Sequence, residues 1–325
     1  SGSNFNGDTF GGNPVEDILI GSRKENRAYL VPGATSWPAT TLDMSNPAER
    51  ASFNVVTMEL MDGDSSSAFG YRVAMLDDIL TSDGMGYDEI AVTQQKGTPG
   101  MSQVFVIRGR TVSGDTALAY YLEPTPAQGD AENTLWVRAD TGTDTFGRQA
   151  LRTGDLTGDG KSEFVVNHPK DDRVYLFDGV TLDGGAGSVV TVNAGASVAD
   201  GIALGSGGSV LEGTFDNVSI LGNFDGDTQN LGQGTSDIAF GIYSFSEWGM
   251  VNLRMNQTPS SESWAGAFPY NDLVVEEPFA MTSPTFFGTT IAPIGDFNGD
   301  GRPDILVGNK TAGTPLTDNW ASIIY

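Results

Sequence analysis

The chain has 325 residues, 42 acidic against 17 basic, a net charge of −25 that opposes nucleic acid or anionic membrane as partners, since phosphate contacts need clustered Lys and Arg. It has no cysteine, which removes disulfides, zinc–thiolate sites and cysteine catalysis. No apolar run is long enough for a membrane-spanning helix, and 43 glycines suit many short strands and turns better than long helices.

Residues 1–60 open on an acidic loop: Asn4, Asn6 and Asp8, an insertion, then Asp17 before Ile18-Leu19-Ile20-Gly21. Strands are expected at 15–21, 27–31 and 52–60. Residues 61–140 carry a longer, looser loop with Asp77, Asp83 and Asp88, and strands at 68–75, 89–93, 103–108, 118–122 and 134–138. Residues 141–200 contain T-G-D-L-T-G-D-G-K-S-E-F-V-V, with Asp155, Thr157, Asp159 and Glu163 at loop positions 1, 3, 5 and 9 and Lys161 at position 7. Strands are expected there at 146–152, 163–167, 173–177 and 188–192. Residues 201–280 bring Asn223, Asp225 and Asp227, an insertion, then Asp237, with strands at 209–221, 237–241, 248–254 and 272–276. The long segment 255–271, rich in Ser, Pro and aromatic residues, reads either as a binding loop or as disorder. Residues 281–325 hold the most regular copy, I-G-D-F-N-G-D-G-R-P-D-I-L-V-G, with strands at 285–293, 304–308 and 321–325.

In that last copy Asp296, Asn298, Asp300 and Asp304 take positions 1, 3, 5 and 9, and Arg302 at position 7 offers its backbone carbonyl. A hard cation wants six to eight oxygens at short range, and alternate side chains of a tight loop can converge on one point. Gly299 and Gly301 let the backbone curl. Calcium is therefore expected at the loops 296–304 and 155–163, and at up to five loops in all, as a structural ion. The position-5 acid falls at Asp8, Asp83, Asp159, Asp227 and Asp300, in steps of 75, 76, 68 and 73 residues. One loop per near-constant period marks a repeat architecture.

Phe69-Gly70, Phe146-Gly147 and Phe287-Gly288 each precede a loop. With the acidic loop and the apolar strand ending in Gly, this resembles the FG-GAP repeat of integrin alpha-subunit β-propellers and their bacterial relatives. The resemblance runs over nearly the whole chain. It implies an all-β fold, one β-propeller over 1–325, with each calcium loop joining the first and second strands of a blade. Five four-stranded blades fit the five loops; seven would need two units that the spacing does not show. Two strands are then missing, one from the first unit and one from the last. Either the chain is a fragment of a longer protein, or units share or swap edges.

The function this implies is extracellular adhesion or protein binding, by analogy of fold. Calcium loops of weak affinity saturate only near millimolar calcium, which favours a secreted or cell-surface protein. A protein or glycan ligand at the cell surface is the expected partner, and self-assembly could use the incomplete terminal blades. The rival readings are a carbohydrate-binding or polysaccharide-cleaving propeller and a structural subunit of a surface layer or filament. No catalytic residue is assigned. His168, the single histidine, reads as a surface residue just past a strand. The five tryptophans read more readily as packing than as a sugar-stacking surface. Asn217, Asn256 and Asn309 fit the short glycosylation pattern, and Arg108-Gly109-Arg110 reads as an exposed turn.

Overall fold

The computed structural model describes residues 4–36, 41–62, 67–80, 86–95, 102–112, 117–122, 133–139, 146–147, 151–154, 162–168, 173–178, 189–192, 202–205, 214–224, 226, 237–243, 250–254, 273–276, 287–309 and 321–325. It is all-β, with several small open sheets and one short helix among the described residues. No helix there is long and apolar enough to cross a membrane. The chain divides into two compact units, Ser1–Leu151 with Gly179–Ala196, and Arg152–Asp178 with Ser197–Tyr325.

The first unit opens on a hairpin, β1 (Thr9–Phe10) and β2 (Asn13–Pro14), around Gly11 and Gly12. Both glycines have positive φ (62° and 85°), which a two-residue hairpin turn that follows strand twist requires. The insertion in the first acidic loop is this hairpin. The first sheet follows: β3 (Ile18–Ser22), β4 (Arg27–Val31) and β5 (Val56–Leu60), all antiparallel. Helix α1 (Pro47–Ser52) ends where the third strand was expected to begin, at residue 52, and β5 occupies the later part of that expected 52–60 segment. Asn46 caps it, its side chain accepting from the Ala48 amide, and Pro47 occupies the first helical turn, where a missing N–H costs nothing.

The second sheet contains β6 (Val73–Met75), β7 (Ile90–Gln94), β8 (Gln103–Ile107) and, beyond β9 (Ala117–Tyr120), β10 (Thr134–Ala139). β9 does not join it. It pairs parallel with β5 and becomes the outer strand of the first sheet. The third repeat does the same: after β11 (Leu151–Gly154), β12 (Glu163–His168) and β13 (Arg173–Asp178), strand β14 (Val189–Val192) pairs parallel with β10 of the second sheet. Each of these crossovers lends a strand to the sheet before it.

The second unit holds three sheets. The first is β11, β12 and β13 with β15 (Ile202–Gly205). The next is β16 (Thr214–Gly222), β17 (Asp237–Tyr243), β18 (Met250–Arg254) and β19 (Leu273–Glu276). The last is β20 (Thr290–Gly295), β21 (Asp304–Gly308) and β22 (Ala321–Ile324). β16 and β20 each slip register just before an acidic loop, and Gly222 (φ 73°) and Gly295 (φ 70°) sit at the slip. A glycine-bearing bulge of this kind re-aims the chain out of the ladder.

The Phe-Gly pairs explain how sheets stack. Phe69, Phe146 and Phe287 are fully buried. In the first unit Phe69 packs edge-on against Phe105, ring centroids 5.1 Å apart, in a core that includes Leu30, Met58, Tyr120 and Trp136. The glycine of each pair has positive φ. Gly70 donates its N–H to the Thr93 carbonyl (2.9 Å), while its own carbonyl rests on Gly21 of β3. Gly288 repeats this in the second unit, donating to Gly308 (3.1 Å) with its carbonyl against Gly241 of β17. Neither approach leaves room for a Cβ, so the glycine that ends the apolar strand and the glycine of Phe-Gly are two halves of one contact.

Candidate functional site

The first and fifth loops have the same local sequence, Phe-Asn-Gly-Asp at 5–8 and at 297–300, and they fold the same way. Gly7 donates its N–H to Asn4 Oδ1 (2.9 Å) and Gly299 to Asp296 Oδ1 (2.6 Å). The Asp8 amide donates to Asn6 Oδ1 (2.9 Å) and the Asp300 amide to Asn298 Oδ1 (2.8 Å). Asn6 and Asn298 donate Nδ2 to the following aspartate at 3.1 and 3.0 Å. Gly7 and Gly299, at φ 71° and 82°, make the turn. In the fifth loop Asp296 also accepts from Asp300 and Gly301, and Asp300 from Arg302.

In the first, fourth and fifth loops an acid at the head of the next strand closes the loop. Asp17 Oδ2 accepts from the Phe5 amide (2.9 Å), Asp237 Oδ2 from Phe224 (2.7 Å), and Asp304 Oδ2 from Phe297 (2.7 Å) and Asn298 (3.1 Å). In the second loop that role falls to Glu89, whose Oε2 accepts from Ile79 (2.8 Å) and Leu80 (3.1 Å). Asp88 instead turns to the first loop and accepts the Asn4 amide at 2.6 Å. Glu89 was legible: Asp17, Glu163, Asp237 and Asp304 each stand directly before an apolar strand residue, as Glu89 does before Ile90 and Asp88 does not. The four closing acids, and Glu163 at the head of β12, are buried, from 0% exposed at Glu89 and Glu163 to 8% at Asp17. A carboxylate so placed is sustained only by donors or a cation.

Asp17 shows the cost. Burial pushes its carboxyl up from 3.8 to about 6, against the opposing Gly33 and Phe5 amides, with the Asp8 charge adding to the rise. The folded form therefore binds this proton more tightly than the unfolded chain. In chelator, stability from this group grows as pH falls through about 6 toward 3.8, and is lost as pH rises. Urea midpoints at pH 7 and 5 in chelator check this; Asp17→Asn is expected to flatten the difference, because its amide does not titrate.

The donors are all hard oxygens. Asp8 Oδ1 is buried and accepts no hydrogen bond within the described structure. Among the described residues no three or more His, Cys, Asp or Glu side chains are gathered to hold an ion by themselves. A cation would also draw on Asn4, Asn6 or Asn298 and on backbone carbonyls, a set that fits calcium better than zinc. Asp155, Thr157, Asp159, Lys161, Asp225, Asp227 and Asp83 lie outside the described residues, as does the segment 255–271. Asn223 stands beside Gly222 at the end of β16, and Asp77 precedes the Ile79–Leu80 amides that Glu89 holds.

Other expected positions resolve differently. His168 is not past the strand but ends β12, fully buried, with its ring 6.4 Å from Tyr175. Of the tryptophans, Trp136 is described and belongs to the core beside Phe105. Asn217 donates Nδ2 to the Thr289 carbonyl (3.1 Å), a bond that a glycan on that nitrogen would disrupt.

Among curated proteins none matches the chain. Residues 287–325 match the family model described as FG-GAP repeat. Phe287-Gly288, the acidic loop and β21 all fall inside that match, so the chain carries an FG-GAP repeat, of which the fifth loop is the acidic element.

Proposed function

We propose that this chain is a calcium-stabilised β-propeller of five blades that serves outside the cell as an adhesion or protein-binding module. The FG-GAP match supports a propeller-type, protein-binding module. The observation that carries the calcium half is the repetition of one hydrogen-bonded loop, with a buried closing acid, in two separate compact units. Asp296, Asn298, Asp300 and Asp304, with the Arg302 carbonyl, would hold the ion in the fifth loop. Asn4, Asn6, Asp8 and Asp17 would do so in the first. The ion supplies positive charge that offsets clustered carboxylates; the chain supplies the turn and the backbone donors that orient them.

Calcium that binds only the folded form stabilises it by RT ln(1 + [Ca]/Kd), about 2.7 kcal/mol per site at a hundredfold excess. Thermal unfolding with calcium and with chelator, beside titration calorimetry, tests this. A raised midpoint with two or more sites is expected; no shift and no heat of binding would sink the reading. The adhesion half is tested by immobilising the calcium-loaded chain and measuring retention of extracellular-matrix and cell-surface proteins. Retention that survives chelation unchanged, or none, would count against it.

A further inference from the structure

The first loop is held by residues of the second repeat. Asp88 accepts the Asn4 amide at 2.6 Å, and its own amide donates to the Asn4 carbonyl at 3.2 Å. The Phe5 carbonyl accepts the Arg110 amide at 2.9 Å. Tyr87 covers Gly7: a Cβ built there would lie 2.7 Å from ring atoms Cδ1 and Cζ. Gly109 lets these segments meet, since a Cβ there would be 2.6 Å from Tyr87 Cβ and 3.0 Å from the Phe5 carbonyl. The very next residue, Glu89, closes the second loop by holding Ile79 and Leu80. Residues 87 and 88 thus belong to one loop and residue 89 to the other.

The second unit repeats the cover over loop position 4. Gly226 holds the loop position of Gly7, and a Cβ on it would lie 3.0 Å from Arg302 Nε. Arg302 stands two residues before the closing Asp304, as Tyr87 stands two before Glu89. Position 4 of one loop is covered, in both units, by the residue two before the closing acid of the next.

We propose that adjacent acidic loops form coupled pairs for hard divalent cations, the segment that closes the second loop serving as the lid of the first. This rests on the calcium reading above. A cation that fixes Glu89 also fixes Tyr87 and Asp88, and so presents Asn4 in its ligating position. Tyr87 and Asp88 are positioning residues, and nothing requires them to touch the ion.

The test is hydrogen exchange during a calcium titration of the full chain, read at the Phe5 and Gly7 amides for the first loop, Ile79 and Leu80 for the second, and Gly299 and Gly301 for the fifth. In the wild type the first two loops gain protection over one calcium range. Tyr87→Ala, which changes no charge, raises the first-loop midpoint about tenfold and leaves the fifth unchanged. Asp88→Ala does the same, whereas Asp88→Asn, which keeps an acceptor for the Asn4 amide, restores most of the loss. Unaltered protection of the β8 amides confirms that each variant is folded. If Tyr87→Ala and Asp88→Ala both leave the first-loop midpoint within about twofold, the coupling is wrong. If Gly299 and Gly301 gain no protection in the wild type, the calcium reading itself fails, and the coupling with it.

Discussion

Gly70→Ala is expected to destabilise the first unit by about 3 kcal/mol or more, the effect of an overlap added to a left-handed backbone. Gly70 has φ 79°, and an added Cβ would overlap the Arg27 carbonyl oxygen and lie 3.0 Å from the Ser22 amide nitrogen. Both are backbone atoms of β3 and β4, so relief requires moving a strand rather than a rotamer. The control is Gly11→Ala. Gly11 has φ 62° and nothing within 4 Å of the new Cβ, so it carries only the left-handed penalty, about 1 kcal/mol. Because the chain has two compact units, one global midpoint would mix two transitions. Hydrogen exchange of β8 and β10 amides in urea reads the core that contains Phe69 and Trp136. Equal losses for the two alanines would show that the glycine-to-glycine stacking does not hold the sheets.

That contact was half visible in the sequence. Phe-Gly before three of the five loops and Gly after three of the apolar strands (Gly21, Gly241 and Gly308) both stood out, because each recurs at the same place in its repeat. Their meeting did not, because Gly21 and Gly70 are 49 residues apart and no local pattern pairs them. The strands that follow acids were legible for the same reason as the loops: Ile18, Ile90, Phe164, Ile238 and Ile305 each begin an apolar run behind a carboxylate. β9 and β14 were legible as strands and misplaced as partners. Residues 117–120 look like any short apolar strand, and the parallel pairing with 57–60 is fixed by packing against Tyr120 and Leu118 in the core. The helix at Pro47–Ser52 lies in a stretch given no element from sequence, because six residues carry too little periodicity to mark one.

In the loops, residue type was a better guide than spacing. The hairpin insertion in the first loop separates Asp8 from Asp17 by nine residues, against four between Asp300 and Asp304, yet the two closing acids meet equivalent amides. A Gly-Gly turn lets the extra residues leave the loop and return at one point. What spacing could not reveal was the cover over the loop, because Tyr87 and Gly109 are ordinary residues until Gly7 and Phe5 are placed beside them.

Asp304 is where hydrogen bonding and metal binding can be separated. It is 1% exposed, and its Oδ2 receives both the Phe297 and the Asn298 amides. Asp304→Asn keeps one oxygen for those donors and removes the charge. In chelator its stability is expected to stay within about 1 kcal/mol of the wild type. In calcium the same variant is expected to lose the fifth loop's share of the metal-dependent gain, about 2.7 kcal/mol at a hundredfold excess of calcium over Kd. Asp304→Ala removes the acceptor as well and leaves two amides to find water, so it is expected to lose about 1–3 kcal/mol even in chelator. Urea unfolding of the three proteins, with and without calcium, followed at the β21 amides, gives the double difference. If Asn and Ala lose the same amount in chelator, the hydrogen bonds contribute little. If Asn loses nothing more in calcium, Asp304 holds the loop closed by hydrogen bonds alone and is not a ligand.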